Sequence, residues 1–281
     1  MTATNHRAPA VAGQFYAGSE AGLVDQIESA FHHPVGPGAL PTVDTGEDLP
    51  MALISPHAGY PYSGPVASHG FARLAAGGSP DVAIIVGPNH GRRGAPLAVS
   101  GASAWETPLG AVPVHDGLRT DLTDFTGLEI DDEAHSGEHS LEVQLPFLQY
   151  LFEDFSIVPI LMSRQDKTRI EQLTTALESL DLTGTDVVLI ASTDLTHYEP
   201  HEAAQRADRP IREALEAVNP TAIMEAFESG HTMCGAGPTA TVLRTVRANG
   251  AETGTVLSYA TSGETAGSSD SVVGYASASI P

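Results

Sequence analysis

The stretch ALISPHAGYPYSG, residues 52–64, joins a short apolar run to a turn rich in proline and glycine. The run ALIS has the composition of a buried strand, and we predict that the strand ends there. His57 follows directly, between Pro56 and Gly59. Proline restricts the backbone to few conformations, and glycine allows a close approach of the backbone to other groups. We therefore predict a stiff turn that holds the imidazole just beyond the strand.

Apolar runs alternate with amphipathic segments along the rest of the chain. The runs predict strands at 51–55, 82–87, 156–161, 186–192 and 255–260. Apolar residues at helical spacing predict helices at 20–31, 140–152, 166–180, 201–218 and 237–250. This alternation predicts an α/β fold, one domain over residues 1–281, with a central mostly parallel or mixed sheet flanked by helices.

Two segments rich in small and polar residues are expected to lie outside these elements. Residues 33–50 are rich in proline and glycine, which predicts a long surface loop. They are not predicted to link two domains, because the roughly thirty residues before them are too few for a domain. Residues 262–270 are expected to form a polar turn between the last two strands.

The composition excludes several classes of protein. The formal net charge is −22, from 35 acidic and 13 basic residues, so the surface should repel nucleic acid. Scattered acidity with a single lysine indicates adaptation to a cytosol of high salt, as in halophilic proteins. We see no apolar run long enough for a membrane span and no secretory signal, and we expect a cytoplasmic protein.

Polar residues follow three of the predicted strands. His57 follows the first, Asn89 and His90 follow the second, and Asp194 and His197 follow the strand at 186–192. Sites in open α/β folds form beyond the carboxyl ends of the strands. We therefore expect these side chains to converge on one crevice.

Cys234 is the only cysteine, which rules out an intramolecular disulfide and a four-cysteine zinc site. It precedes a predicted helix, whose dipole is expected to favour the thiolate. Two imidazoles with either this thiolate or a carboxylate would form a transition-metal site suited to iron, copper or zinc. The residues alone leave open whether Cys234 or Asp194 completes it.

The segment AHSGEHSLE contains His135, Glu138 and His139 in the order found in inverted zinc peptidases. That chemistry needs both histidines on one helix face, but Ser136 and Gly137 interrupt the motif, and we predict Ser140 to be a helix N-cap. We therefore disfavour a peptidase and expect Glu138, His139 and Glu142 to support the metal ligands or to line the pocket. The remaining histidines are interpreted as ordinary: His6, His32, His33, His69, His115, His201 and His231.

The chain resembles the Memo family, which includes the B component of the AmmeMemoRadiSam system. The resemblance rests on motifs in a fixed order over nearly the whole chain: AGQFYAG, SPHAGYPYSG, VGPNHG, WETPLGAV, DEAHSGEHSLEVQLPFLQ, STDLTHY and CGAGP.

This resemblance implies a fold similar to the class III extradiol-type dioxygenases, whose iron ligands are two histidines and a glutamate. By motif match it implies metal ligands at His57, His90 and Cys234, with Asp194 and His197 beside them. A cysteine in the carboxylate's place puts ring cleavage in question. The resemblance also makes AMMECR1-like and radical SAM proteins candidate partners.

Three hypotheses of function follow. The first is a redox or dioxygenase-like enzyme that binds Fe(II), or copper, with His197 as acid/base, Asp194 as a ligand or orienting group, and Tyr60 as a pocket donor. Its substrate would be an unidentified small molecule or peptide. The second is a metal-sequestering or partner-binding protein without turnover. The third is a metal-free enzyme that uses Cys234, His197 and Asp194 as a nucleophilic triad.

Overall fold

The central feature is a nine-stranded mixed sheet with helices on both faces, seen in a computed structural model that describes residues 5–44, 46, 48–124 and 127–281. The strands are β1 (His6–Arg7), β2 (Ala52–Ser55), β3 (Val82–Pro88), β4 (Leu97–Val99), β5 (Ala104–Thr107), β6 (Gly110–Pro113), β7 (Glu129–Ile130), β8 (Ser156–Met162), β9 (Val187–Ser192), β10 (His197–Glu199), β11 (Thr255–Thr261) and β12 (Val272–Ile280).

The helices are α1 (Glu20–His32), α2 (Tyr60–Gly77), α3 (Asp116–Thr123), α4 (Asp132–His135), α5 (Leu145–Leu151), α6 (Lys167–Glu178), α7 (His201–Glu216), α8 (Pro220–Glu228), α9 (Ala236–Ala248) and α10 (Ser262–Thr265). A 3₁₀ turn, Glu142–Gln144, precedes α5.

Four neighbouring strands at the centre of the sheet, β2, β9, β3 and β8, are parallel. Ser55 lies beside Ser192, and Val86 lies beside Ala191, so the carboxyl ends of β2, β9 and β3 are level. Strands β12 and β4 close the two sides in antiparallel pairing, and β10, β11 and β7 extend the sheet beyond them. The α/β fold with a mixed sheet, mostly parallel at its centre, is confirmed.

Helices cover both faces of the parallel centre, which is why its strands are almost continuously apolar. Along β3, Ile84 and Val86 pack into one core with α6, α7 and α9, while Ala83 and Ile85 pack into another with α1, α2 and α5. Within the described residues, no helix has the length and apolar character needed to cross a membrane.

The local predictions held for the five strands and differ at four places. Helix α2 begins at Tyr60, where a turn was expected, because Pro61 fits a first helical turn. The segment 140–152 divides into the 3₁₀ turn and α5. Ser140 is not an N-cap, since its hydroxyl donates to the carbonyl of Pro88. Residues 262–265 form α10, stabilised by a capping box between Thr261 and Glu264.

A small second sheet, in the order β1-β5-β6, ties the start of the described chain to the site. Beside it, Arg7 forms a buried ion pair with Glu142 at 2.7 Å and donates to the carbonyls of His135 and Glu138. The guanidinium also stacks 4.0 Å above the ring of Trp105. These contacts fix the segment 135–142 against the small second sheet.

Candidate metal centre

The carboxyl ends of three neighbouring strands supply the centre of the site. His57 lies two residues beyond β2, Asp194 two residues beyond β9, and His90 two residues beyond β3. Because β2, β9 and β3 are adjacent and parallel, these positions lie side by side. The rings of His57 and His90 are 5.2 Å apart between centroids.

His57 is buried and its tautomer follows from its contacts. Its Nδ1 lies 2.8 Å from the Ser192 hydroxyl, which donates to the carbonyl of Ser140 and accepts from the Gln144 amide. The hydroxyl has no second proton, so His57 Nδ1 is the donor and Nε2 carries the lone pair. Burial, followed by the charges of His139 and His90, holds the His57 pKa well below its ordinary value, so the ring is a neutral ligand.

His90 lies at the rim and is oriented by the buried Glu138. One carboxylate oxygen accepts from His90 Nδ1 at 2.9 Å, and the other accepts from the His90 backbone N–H at 2.6 Å. Burial opposes protonation of the ring, but the hydrogen bond and charge of Glu138 outweigh it and raise the His90 pKa. The same contacts lower the Glu138 pKa against its burial, so the carboxylate is ionised. His90 therefore presents Nε2 as its available nitrogen.

Cys234 approaches from the loop before α9. Its Sγ lies 3.1 Å from His57 Nε2 and accepts from the Asp194 N–H at 3.2 Å. Gly235 permits this approach, since a Cβ there would collide with the carbonyl oxygen of Ser192. Helix α9 does begin two residues later. Even so, burial and the charge of Asp194 raise the Cys234 pKa, so the sequence-based expectation of a thiolate is wrong for the metal-free thiol.

The ligand atoms of His57, His90 and Cys234 all lie within 4.8 Å of one another. Donors bound about 2.1 to 2.3 Å from one ion lie roughly 3 to 4.5 Å apart, so the three residues can hold a metal. Each histidine already uses Nδ1 in an orienting hydrogen bond, as metal-binding histidines ordinarily do. The donor set of two imidazoles and one thiol fits a transition metal.

Asp194 and His197 lie beside these donors. Asp194 accepts the His57 backbone N–H at 2.8 Å, and burial raises its pKa to about 6 despite that bond and the charges of His197 and His90. His197 Nδ1 faces two carbonyl oxygens, of Leu195 at 2.8 Å and Thr232 at 3.0 Å. A carbonyl only accepts, so Nδ1 is protonated and Nε2 is free to accept a proton.

A second cluster of possible ligand atoms overlaps the first: His90, Glu138 and His139. The His139 ring stacks on His90, with centroids 4.7 Å apart, and packs against Phe15. Glu138 already accepts from the backbone N–H groups of His139 and Ser140 besides its bonds to His90, so it orients its neighbours.

His135, Glu138 and His139, which follow the order found in inverted zinc peptidases, do not form one set of metal ligands in the structure. His135 ends the short helix α4, bonds the carbonyl of Asp131 and packs against Trp105. Among the described residues, it belongs to neither cluster of potential metal ligands.

Three other predicted site residues have their polar atoms engaged elsewhere. The Tyr60 hydroxyl donates to the carbonyl of Val143 at 2.7 Å. The Asn89 amide donates to the carbonyl of Arg93 at 2.8 Å and so shapes the loop that carries His90. The Glu142 carboxylate is fully buried and accepts from Arg7, from two backbone N–H groups and from the Tyr16 hydroxyl.

The sequence reasoning missed several residues that orient the site. Ser192 and Gln144 set His57, and Gln165 donates to the carbonyl of Cys234 at 2.6 Å. Gln165 follows β8, a fourth parallel strand. Sites form beyond the carboxyl ends of such strands, so inspection of the residues after β8 would have found it. Ser192 and Gln144 act through side-chain contacts between distant segments, for which the sequence carries no local signal.

His231, which was interpreted as ordinary, braces the loop that carries Cys234. Its Nδ1 accepts the Met233 N–H at 3.1 Å, so Nε2 carries the proton and donates to the buried Asp208 at 3.0 Å. Asp208 also accepts from the N–H and hydroxyl of Thr196. The segment 231–234 is thereby tied to the chain just beyond Asp194.

Comparison with known proteins agrees with this architecture. A family model described as Memo-like protein matches residues 7–279. A MEMO1 family protein of Methanopyrus kandleri is 44% identical over 277 residues, covering 96% of this chain and 97% of the relative. One from Thermotoga maritima is 43% identical over 276 residues, with 97% and 98% covered.

Among solved structures, an uncharacterized protein of Escherichia coli K12 superposes with a TM-score of 0.53 at 15% identity. The match covers 80% of this chain and 98% of the other. At this identity the likeness concerns the fold alone.

Proposed function

The chain belongs to the Memo family, and on that premise we propose that it is a metal-dependent redox enzyme whose iron is held by His57, His90 and Cys234. The observation that carries the proposal is the convergence of one thiol and two pre-oriented imidazole nitrogens within 4.8 Å. A softer ion such as copper fits the same donors, but imidazole with a single sulfur also suits iron.

The surroundings of the donors support turnover in preference to storage. A cavity of about 540 Å³ is lined by both His90 and Cys234. A site that only sequestered an ion would need no such space, whereas an enzyme needs room for a substrate beside its metal. Bound iron would supply a redox-active Lewis acid with coordination positions left open by three protein ligands.

The protein's own residues would then orient the donors and move protons. Ser192 and Glu138 hold the two rings so that Nε2 is available on each. Asp194 orients the His57 backbone, and His197, whose Nδ1 donates to a backbone carbonyl, would accept a proton through Nε2.

A metal-free cysteine enzyme is the second candidate, because Cys234 Sγ lies 3.1 Å from His57 Nε2. The partner of the thiol is His57, in place of the predicted His197. Burial, with neighbouring charges, raises the Cys234 pKa and lowers the His57 pKa, so the pair is neutral. A neutral buried thiol is a weak nucleophile, and a metal ion is what would convert it to the thiolate.

The test is metal analysis after anaerobic purification of the wild type and of the variants His57→Ala, His90→Ala and Cys234→Ser. We expect one redox-active metal per chain in the wild type and a loss of at least tenfold in metal affinity in each variant. The matched control is His69→Ala, because His69 is a partly buried histidine whose ring bonds the carbonyl of Val35 away from the site.

Thiol titration distinguishes the two candidates. If Cys234 is a ligand, adding metal slows its reaction with a thiol reagent, and removing metal restores the rate. If His57→Ala and His90→Ala keep their full metal content, these histidines are not the metal ligands. If metal also leaves the reactivity of Cys234 unchanged, the metal-free cysteine enzyme is supported.

A further inference from the structure

Two arginines share a cavity with the candidate metal ligands. Arg92 and Arg164 line the same space of about 540 Å³ as His90 and Cys234. Both arginine side chains are exposed to solvent. Arg164 lies two residues beyond β8, which is the position that His57, His90 and Asp194 occupy after their own strands. The cavity therefore has metal ligands and guanidinium groups on the same edge of the sheet.

The two guanidinium groups that line this cavity have no acidic partner among the described residues. Six of the thirteen lysine and arginine side chains have an acidic partner among the described residues, as in the pairs of Arg73 with Asp48 and Arg206 with Glu202. For Arg92 and Arg164, the described part of the chain provides neither an ion pair nor a side-chain hydrogen bond.

One carboxylate also lines the cavity, and it is already used. Asp166 caps the start of α6 by accepting the Arg169 N–H at 3.0 Å. It therefore acts on the helix, and the two guanidinium groups keep their donors for something that enters the cavity.

The backbone at Arg92 is strained. Its φ is 50°, in the left-handed region that favours glycine, although Gly91 and Gly94 stand close by in the sequence. The turn is held by the Arg92 N–H on the carbonyl of Asn89 and by the Asn89 amide on the carbonyl of Arg93. Strain at a non-glycine residue points to a use for its side chain at that position.

Part of the remaining lining is apolar. Met233 is buried, Phe227 is partly buried, and Pro88 ends β3 beside them. Apolar lining together with a few charged donors is the ordinary form of a pocket that orients a small organic molecule.

We propose that the substrate is an organic oxyanion, a carboxylate or a phosphate ester, whose charged group binds Arg92 and Arg164. Its apolar body lies against Phe227 and Met233, within reach of the metal. The forked guanidinium donors match two oxygens of either group. Because the net charge of −22 repels anions, an anion needs guanidinium groups that no carboxylate neutralises, and Arg92 and Arg164 supply such groups beside the metal ligands. This proposal rests on the metal-dependent function proposed above.

The experiment measures the binding of benzoate, phenyl phosphate and neutral benzyl alcohol by calorimetry at one fixed ionic strength. The proteins are the wild type as purified, with its metal, and the variants Arg92→Gln, Arg164→Gln and Arg93→Gln. Arg93 is the matched control, because it is an adjacent exposed arginine that does not line the cavity. Metal content is measured in every sample.

We expect at least one anion to bind the wild type and Arg93→Gln equally, and to bind Arg92→Gln and Arg164→Gln about tenfold more weakly, the effect of one charge-assisted hydrogen bond. The tighter of the two anions assigns carboxylate or phosphate. The proposal is overturned if neither anion binds, if benzyl alcohol binds as well, or if Arg93→Gln loses as much as the cavity variants.

The same measurements separate this proposal from the proposed function. Repeating the titrations on His57→Ala tests the arginines where the metal site is damaged. Absence of metal from the wild type with anion binding intact refutes the metal centre alone. Stoichiometric metal with no anion binding refutes the oxyanion site alone.

Discussion

Replacing Ser192 with alanine tests whether a single buried hydroxyl prepares His57 for metal binding. Ser192 is fully buried, and its hydroxyl accepts from His57 and Gln144 while donating to the carbonyl of Ser140. In Ser192→Ala all three bonds disappear, and the His57 Nδ1–H and the Gln144 amide lose an acceptor in a buried place. The ring is then free to adopt the other tautomer or to rotate, which removes Nε2 from the metal.

The expected magnitude has two parts. Loss of an orienting group for a metal-bound histidine lowers metal affinity about 10- to 100-fold. Leaving buried donors unsatisfied destabilises the metal-free protein by roughly 1 to 3 kcal/mol. Metal affinity is measured by competition with a chelator of known strength, and stability by urea unfolding of the metal-free protein.

The matched control is Ser55→Ala. Ser55 lies directly beside Ser192 in the neighbouring strand, is equally buried, and its hydroxyl finds no hydrogen-bond partner among the described residues. Removing it should leave both measurements within about 0.5 kcal/mol of the wild type. Equal metal affinity in Ser192→Ala and Ser55→Ala would refute the assigned role of Ser192.

Three further outcomes are expected. Glu142→Gln leaves the buried charge of Arg7 without its partner and should lower the free energy of urea unfolding by about 3 to 5 kcal/mol, while an effect below about 1 kcal/mol would contradict the buried pair. Burial lowers the pKa of His135 to about 4, so as pH falls below about 6.5 the unfolded chain binds a proton first and stability is lost toward pH 4. Between pH 7 and 5 this contributes about 2 kcal/mol, and urea unfolding of His135→Gln should show a correspondingly shallower pH dependence. Glu138→Gln should weaken metal binding about 10- to 100-fold through misorientation of His90, as read by chelator competition, and unchanged affinity would show that the carboxylate does not orient the ring.

The predictions that succeeded rest on the periodic spacing of apolar residues and on the location of sites beyond the carboxyl ends of parallel strands. The apolar run before His57 and the one before His90 form parallel strands, and their carboxyl ends meet as expected. Helix α2 was missed because Pro61 reads locally as a turn, although proline is equally suited to a first helical turn.

The site's chemistry depended on contacts that no local pattern records. The helix that follows Cys234 was expected to favour the thiolate, but burial and the charge of Asp194 raise the pKa of the thiol. Its imidazole partner is His57, 177 residues away in sequence, in place of the predicted triad partner His197. Likewise, Glu142 was expected beside the metal ligands, but its carboxylate accepts a hydrogen bond from Arg7, near the beginning of the described chain.

From the order of residues alone came the α/β class, the strands that carry His57, His90 and Asp194, and the family motifs. These follow from the period of two or of 3.6 residues at which apolar side chains must repeat to be buried. The packing of β2, β9, β3 and β8 then set which loops are neighbours, which hydroxyl fixes a tautomer and where Arg92 and Arg164 face one cavity. Such relations join segments far apart in the chain, and only the folded sheet brings their atoms within bonding distance.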